Sequence, residues 1–327
     1  MNTLVAGGLG YIGSELVPLL WQAGHKVTVY DAMIFGTYQQ TPTGVTVIRG
    51  DVRNRDQFAN ACIGQDAVIY LASISSDAMC QKDPQLADEV NRTSFERNVL
   101  AARNAGVRRF IYASSVAAYG SSEFDAAENQ PLSPTTLYAK AKASCEAVLT
   151  AYHGRDMVAT ITRSASVCGP APRMRFDLTV NKMVHDAIRH GRITVNGGSQ
   201  KRCHIHIQDI CAFYLLLLDV PRERIAGEVF NVVAQNQSVL ETAALVIRSL
   251  APNVRRARNM PAFIEQRDAT DDRSYTVDGA KAREILHFSP KLTIVDAVRG
   301  MKSAFDAAQW RDSETNPSYQ NLASGYA

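Results

Sequence analysis

Two groups of residues, far apart in the chain, have types and spacings that fit one chemistry. Tyr138 and Lys142 stand four residues apart in Tyr138-Ala139-Lys140-Ala141-Lys142, and Ser115 lies upstream at the end of an apolar run. On a helix, positions i and i+4 project from one face. A tyrosine hydroxyl loses its proton only near pH ~10, so alone it is a poor base at neutral pH. A neighbouring ammonium favours the phenolate and lowers that value. With the Ser115 hydroxyl sharing the proton path, Ser115, Tyr138 and Lys142 can take a proton from an alcohol while a nicotinamide accepts the hydride. The same lysine can hold the nicotinamide ribose.

The second group is Gly7-x-x-Gly10-x-x-Gly13, directly behind the apolar run Leu4-Val5-Ala6. A strand before such a turn and a helix after it give the setting in which glycines hold a dinucleotide. The glycines admit the pyrophosphate to the backbone, and the helix N-terminus offers N–H donors and partial positive charge. Asp31 ends the second apolar run, where a carboxylate accepts from the adenine ribose hydroxyls and repels a 2′-phosphate. Nothing basic follows it in Ala32-Met33-Ile34-Phe35-Gly36, so the expected cofactor is NAD rather than NADP. Asp51 and Val52, after the third apolar run, are placed to flank the adenine ring.

The elements that must position these residues follow from periodicity. Strands are predicted at 3–6, 27–30, 45–48, 67–71, 109–113 and 158–162, and helices at 12–22, 90–104 and 137–151. Strands alternating with helices imply a parallel sheet covered on both faces. The expected fold class is α/β: a Rossmann-type doubly wound parallel sheet with a smaller C-terminal α/β substrate-binding lobe. The expected NAD-binding domain is 1–170, with later segments at about 200–235 returning to it. Residues 171–310 form mainly the discontinuous substrate-binding lobe, and 311–327 a polar tail, disordered or loosely docked.

The chain of 327 residues is 46% hydrophobic with a net charge of +3, so it carries no broad basic field for nucleic acid. No apolar run reaches the ~18–20 residues of a membrane span, and Leu215–Leu218 belongs to a core helix. Met1-Asn2-Thr3 leads at once into a strand without a signal-peptide pattern. The expectation is a cytoplasmic protein whose six cysteines are reduced. Cys203, His204, His206 and Cys211 are close in sequence, but His204-x-His206 alternates as a strand does and the spacing is not that of a zinc site. No metal is expected.

Taken together, the chain resembles the extended short-chain dehydrogenase/reductase family, in its group of nucleotide-sugar epimerases and dehydratases. The resemblance runs from about residue 1 to about residue 305. It rests on Gly7-Gly8-Leu9-Gly10-Tyr11-Ile12-Gly13, Tyr70-Leu71-Ala72, Tyr112-Ala113-Ser114-Ser115 with Tyr119-Gly120, and Tyr138 with Lys142. Later matches are Thr162-Arg163 with Gly169-Pro170, the stretch Arg202–Asp209, and Arg273–Asp278. It implies NAD bound in the first lobe, with Tyr11, Ile12, Leu71, Ala72 and Ser73 around it beside the residues already named. It implies a nucleoside-diphosphate sugar in the cleft, with Asn181, Arg202 and Arg273 at its diphosphate, and a homodimer.

Departures from the family pattern narrow the activity. The 4,6-dehydratases carry an Asp-Glu pair after the catalytic Ser or Thr; here Val116 and Ala117 stand there and cannot move protons. That pair looks more like the 4-epimerases. Ser166 replaces an Asn near the substrate, Cys168 a Tyr, and Ala6 a Thr. The basic stretch Pro172-Arg173-Met174-Arg175-Phe176-Asp177 falls where the sugar pocket is built, and Arg175 could meet a phosphate or carboxylate. The leading expectation is C4 epimerisation through a 4-keto sugar. The alternatives are net oxidoreduction by an NAD(P)(H)-dependent dehydrogenase or reductase of a nucleotide sugar or other alcohol, and a non-catalytic dinucleotide-binding sensor.

Overall fold

The computed structural model describes residues 1–36, 41–122, 124–250, 262–268 and 273–321. Strands that run the same way cannot be joined by tight turns; each needs a crossover, here mostly a helix. Five of them are β1 (Asn2–Ala6), β2 (Lys26–Asp31), β3 (Thr46–Arg49), β4 (Ala67–Tyr70) and β5 (Arg109–Ser115). Val158–Ser164 and Val229–Val232 complete a sheet of seven. Its order is Val229–Val232, Val158–Ser164, β5, β4, β1, β2, β3, and every pairing is parallel. β1 pairs with β2 on one side and β4 on the other, so successive crossovers leave it in opposite directions. At such a switch point the connections splay apart and open a crevice beyond the strand ends.

Alternation along the strands builds two cores, one on each face. Val5, Val29, Ile69 and Ile111 face helix α1 (Tyr11–Gln22) and the helix Ile207–Asp219. Leu4, Ala6, Val68, Tyr70, Phe110 and Tyr112 lie in the other core with Phe58 and Phe95. Burial on both faces is why these strands read as nearly continuous apolar runs. Among the described residues no helix is long and apolar enough to cross a membrane. All six cysteines are buried and unpaired.

The helix expected over 90–104 begins instead with a π-helical turn, Glu89–Thr93, before Ser94–Asn104. That turn carries Asn91, whose buried side chain takes the Ile74 amide at 2.7 Å and the Ser73 hydroxyl at 3.0 Å. Beyond residue 165 the main elements are a three-stranded sheet (Ser166–Cys168, Lys201–His206, Gln235–Ser238), a parallel pair (Arg192–Asn196, Phe263–Arg267), and the helices Thr179–Arg189, Val239–Leu250 and Ile294–Asp306.

The tail departs from expectation. Trp310, Ser313 and Asn321 are buried. Trp310 packs edge-on against Phe176 and Phe305, and the Phe176 amide donates to the Tyr319 carbonyl at 2.9 Å. An aromatic anchor and a backbone hydrogen bond dock 310–321, outweighing the polar composition that suggested a loose end; residues 322–327 lie outside the described residues.

Candidate active site

One cavity of about 1310 Å³ opens at the switch point. A pocket for a single small ligand spans roughly 300–1,000 Å³, so this one exceeds what one such molecule fills. Its walls include Gly7, Gly10, Tyr11, Ile12, Gly13, Asp31, Asp51, Val52, Leu71, Ala72 and Ser73 along one stretch, and Ser115, Tyr138, Lys142, Ser166, Arg175 and Arg273 along another. The structure thus brings together nearly every residue singled out from the sequence. The exceptions are Asn181 and Arg202.

The glycine turn fits a dinucleotide for reasons visible in its backbone. Gly7 has φ +78°, and a Cβ there would lie 2.7 Å from the Ala72 nitrogen. A Cβ on Gly13 would meet the Gly8 carbonyl oxygen at 2.4 Å, so α1 packs directly on the turn. Gly10 is the N-cap of α1, and no side chain caps it. A helix N-terminus without a capping oxygen faces the cavity, which suits a pyrophosphate.

Asp31 reaches back to this turn. Its carboxylate accepts the Leu9 amide at 3.0 Å and the Met33 amide at 2.8 Å. Burial pushes its carboxyl up, while those two amides and the charge of Arg173 pull it down. Those bonds fix a carboxylate on the cavity wall beside the glycine turn. Asp51 is engaged differently: it is paired with Arg53 at 2.7 Å, which holds its carboxyl below the usual range against the effect of burial. The Asp51–Arg53 pair and Val52 line the cavity together there.

The reactive triplet comes from two neighbouring elements. β5 delivers Ser115 at its end, where Ser115 caps the short 3-10 turn Val116–Tyr119 by accepting the Ala117 amide at 3.2 Å. Tyr138 and Lys142 share one face of the helix Leu137–Tyr152, whose N-cap Thr136 accepts the Ala139 amide. Lys142 is buried, donates to the Ala113 carbonyl at 2.7 Å, and lies 4.8 Å from the ring centre of Tyr112 and 5.5 Å from that of Tyr138. Burial pulls its ammonium down to about 8.

Burial also pushes the Tyr138 hydroxyl upward; the charge of Arg175 opposes this most, followed by a hydrogen bond with Ser115. The sequence alone points to Lys142 as the cation that activates Tyr138. In the structure the Lys142 ammonium, near the Tyr138 ring, also donates to the Ala113 carbonyl, and the charge of Arg175 acts on the same hydroxyl.

One turn beyond Lys142, Glu146 anchors the helix to the sheet. Its carboxylate pairs with Arg163 at 2.7 Å, with both side chains only 6% exposed, and it accepts from the Ser114 hydroxyl. Arg163 also donates to the Tyr119 hydroxyl at 2.7 Å. These bonds tie the helix that carries Tyr138 to the strand end that carries Ser115.

Arg175 is held by Asp177 through two nitrogens and donates to Ser75 Oγ at 2.7 Å. A neighbouring carboxylate thus already matches its charge, so a ligand anion would share it with Asp177. Arg273 pairs with Asp77 at 2.9 Å on the cavity wall. Arg202 donates to the Arg273 carbonyl and stacks 5.1 Å from the Tyr275 ring centre, behind the wall and not on it. Asn181 has no exposed surface; its amide accepts from Gly169 N and donates to Tyr11 Oη and the Arg175 carbonyl. All of its polar atoms are consumed in scaffold, so it positions Tyr11 and Arg175 and does not face the cleft.

Sequence reasoning missed Ser75, Asp77, Phe35, Arg173 and Asn321, all on the cavity wall. The basic stretch around Arg175 pointed toward Arg173; nothing in the sequence marked Asn321. As for metals, Cys203 and His204 are buried in a strand, and among the described residues the ligand atoms that approach within 4.8 Å of one another are those of His185, Asp186 and His190.

Among known proteins, a family model described as the NAD dependent epimerase/dehydratase family matches residues 3–233. The chain is 28% identical over 325 residues to the dTDP-glucose 4,6-dehydratase of Streptomyces niveus, an alignment covering 91% of this chain and 90% of that protein. It is 24% identical over 323 residues to the UDP-glucose 4-epimerase of Corynebacterium glutamicum, covering 94% and 96%. A solved UDP-glucose 4-epimerase from Thermotoga maritima, bound to UDP-glucose, shares the fold with a TM-score of 0.83 at 22% identity, covering 94% of this chain and all of that one.

Proposed function

The chain belongs to the NAD-dependent epimerase/dehydratase family, and on that premise we propose that it is a nucleotide-sugar 4-epimerase. The observation that carries this is the wall directly after Ser115: Val116 and Ala117 line the cavity where a dehydratase needs proton-transferring side chains. NAD, when bound, takes a hydride from a carbinol carbon and gives it back. The glycine turn, the α1 N-terminus and Asp31 would hold it. A nucleoside-diphosphate sugar would occupy the remaining volume, between the sheet domain of residues 1–170 and the lobe of 171–310, with Arg273 toward its diphosphate.

Tyr138 takes the proton from the 4-hydroxyl as the hydride leaves C4. Ser115, beside Tyr138 on the cavity wall, orients that hydroxyl and can donate to the sugar oxygen as it loses its proton. Arg175 adds positive charge at the same oxygen. The cleft would have to leave the sugar room to turn before it is reduced on its other face, and Tyr138 would then give back the proton. Product and substrate then have equal mass, and no free NADH accumulates.

Purified protein incubated with UDP-glucose or dTDP-glucose and analysed by mass spectrometry and sugar chromatography tests this. The expected product is an isobaric epimer, formed without stoichiometric NADH. Tyr138→Phe should lower kcat by about 10²–10⁴-fold while NAD stays bound. Release of NADH with an oxidised sugar would replace epimerisation by net oxidoreduction.

Asp77 supports a second reading. Its Oδ2 is paired with Arg273, while its Oδ1 is buried without a hydrogen-bond partner in the same cavity. Such a carboxylate could move a proton during loss of water from the keto sugar. A product lighter by one water, lost on Asp77→Asn, would establish that course.

A further inference from the structure

We propose that Arg173, Phe35 and Asn321 form a second grip on the dinucleotide, in which the chain's own C-terminal segment sets an arginine over the cofactor pyrophosphate. The proposal rests on the family's cofactor and not on epimerisation. Arg173 is 1% exposed, yet it lies on the wall of the cavity that holds the glycine turn. Its backbone amide donates to Ser14 Oγ at 3.2 Å, which fixes it to the first turn of α1. Its guanidinium carbon sits 3.9 Å from the ring centre of Phe35, in the segment after β2 and Asp31. Its charge is felt at Asp31, at the adenosine end, and at Asp177, the partner of Arg175. A guanidinium placed by an aromatic face beside a helix N-terminus presents its donors in a planar fork that suits phosphate oxygens.

What sets the fork is the C-terminal segment. Arg173 Nη2 donates to Asn321 Oδ1, a contact between residues 148 apart in sequence. The other end of that amide lies 3.5 Å from Ser75 Oγ, the hydroxyl that also accepts from Arg175. The Tyr319 carbonyl, two residues earlier, holds the Phe176 amide. The segment therefore bridges the arginine-bearing stretch 173–176 to the loop after β4, with Asn321 on the cavity wall. A cofactor gripped on that side as well as by the glycine turn would leave the cavity more slowly than one held by the turn alone.

The test uses full-length protein stripped of nucleotide, with NAD, ADP and adenosine as probes, binding measured by calorimetry and folding by thermal melts. Asn321→Ala removes the acceptor that orients the fork and should weaken NAD and ADP roughly tenfold, with adenosine nearly unchanged. Asn321→Asp keeps an acceptor for Arg173 but adds a negative charge beside it. A purely structural contact would be preserved or strengthened by that change. The proposal instead expects NAD and ADP to weaken by about tenfold or more at an unchanged or higher melting temperature. NAD and ADP affinities equal to wild type in both variants would overturn it. So would an equal loss for adenosine and ADP, which would make the contact one of packing rather than of phosphate. A wild type that binds neither NAD nor ADP would overturn the cofactor assignment together with the proposal.

Discussion

Replacing Lys142 with methionine should change how stability depends on pH, by an amount that follows from the lysine's burial. Lys142 is 3% exposed, and its ammonium is satisfied mainly by the Ala113 carbonyl. Burial pulls it from an ordinary 10.5 to about 8, against the opposing influence of Cys145, Glu146 and Cys80. Between those two values the unfolded chain holds a proton that the folded chain has lost. Stability therefore rises with pH across that window, and below pH 8 the folded state carries the whole cost of a buried ammonium. That cost is roughly 3 kcal/mol, at about 1.4 kcal/mol for each tenfold change in the proton equilibrium. From about pH 7 to about pH 9.5, wild type should gain about 2 kcal/mol relative to Lys142→Met, which has no proton to lose there. The hydrogen bond lost to Ala113 is a constant offset and cancels. Urea unfolding of both cofactor-free proteins across that range measures the difference directly. A difference constant to within about 0.5 kcal/mol, near the error of such extrapolations, would refute the argument. The same titration should appear in function as an alkaline limb in kcat/KM near pH 8, since this parameter reports the free enzyme.

Gly7→Ala should fail at the cofactor loop. A non-glycine residue at φ +78° costs about 1–2 kcal/mol, and its Cβ would press on the Ala72 backbone, so both the thermal melt and the NAD titration should show a loss. Glu146→Ala should destabilise by roughly 3–5 kcal/mol in urea unfolding, because Arg163 stays buried without its carboxylate. The double variant Glu146→Leu with Arg163→Met should cost less than Glu146→Ala alone, and a greater cost would contradict that reasoning.

The glycine turn, the aspartate after β2 and the Tyr–Lys pair were legible because each depends on spacing within a few residues. Three glycines at an interval of three are a weak signal alone, and the apolar run before them and the helical pattern after them are what read as a strand, a turn and a helix start. A tyrosine and a lysine four apart share a helix face whatever lies around them. The sheet was legible for a similar reason: strands buried on both faces are apolar throughout. The π turn at Glu89–Thr93 was not; it carries Asn91, whose side chain is engaged by Ile74, 17 residues away, a contact that no local pattern encodes.

What the chain could not announce is which distant groups converge. Asn181 and Arg202 carry side chains suited to a phosphate, yet folding spends the first on Tyr11 and Gly169 and sets the second behind Arg273. Arg173 and Asn321 look unremarkable in sequence and meet at the cofactor cavity. Lys142 stays within 5.5 Å of the Tyr138 ring centre, but what the spacing could not show is that its ammonium also donates to the Ala113 carbonyl and that Arg175 brings a second charge to the hydroxyl. Residue type and spacing determine local geometry, and with it the class of chemistry. Burial, and so the charge state and partners of each group, depends on contacts between residues a hundred or more apart, and those exist only once the tertiary structure has formed.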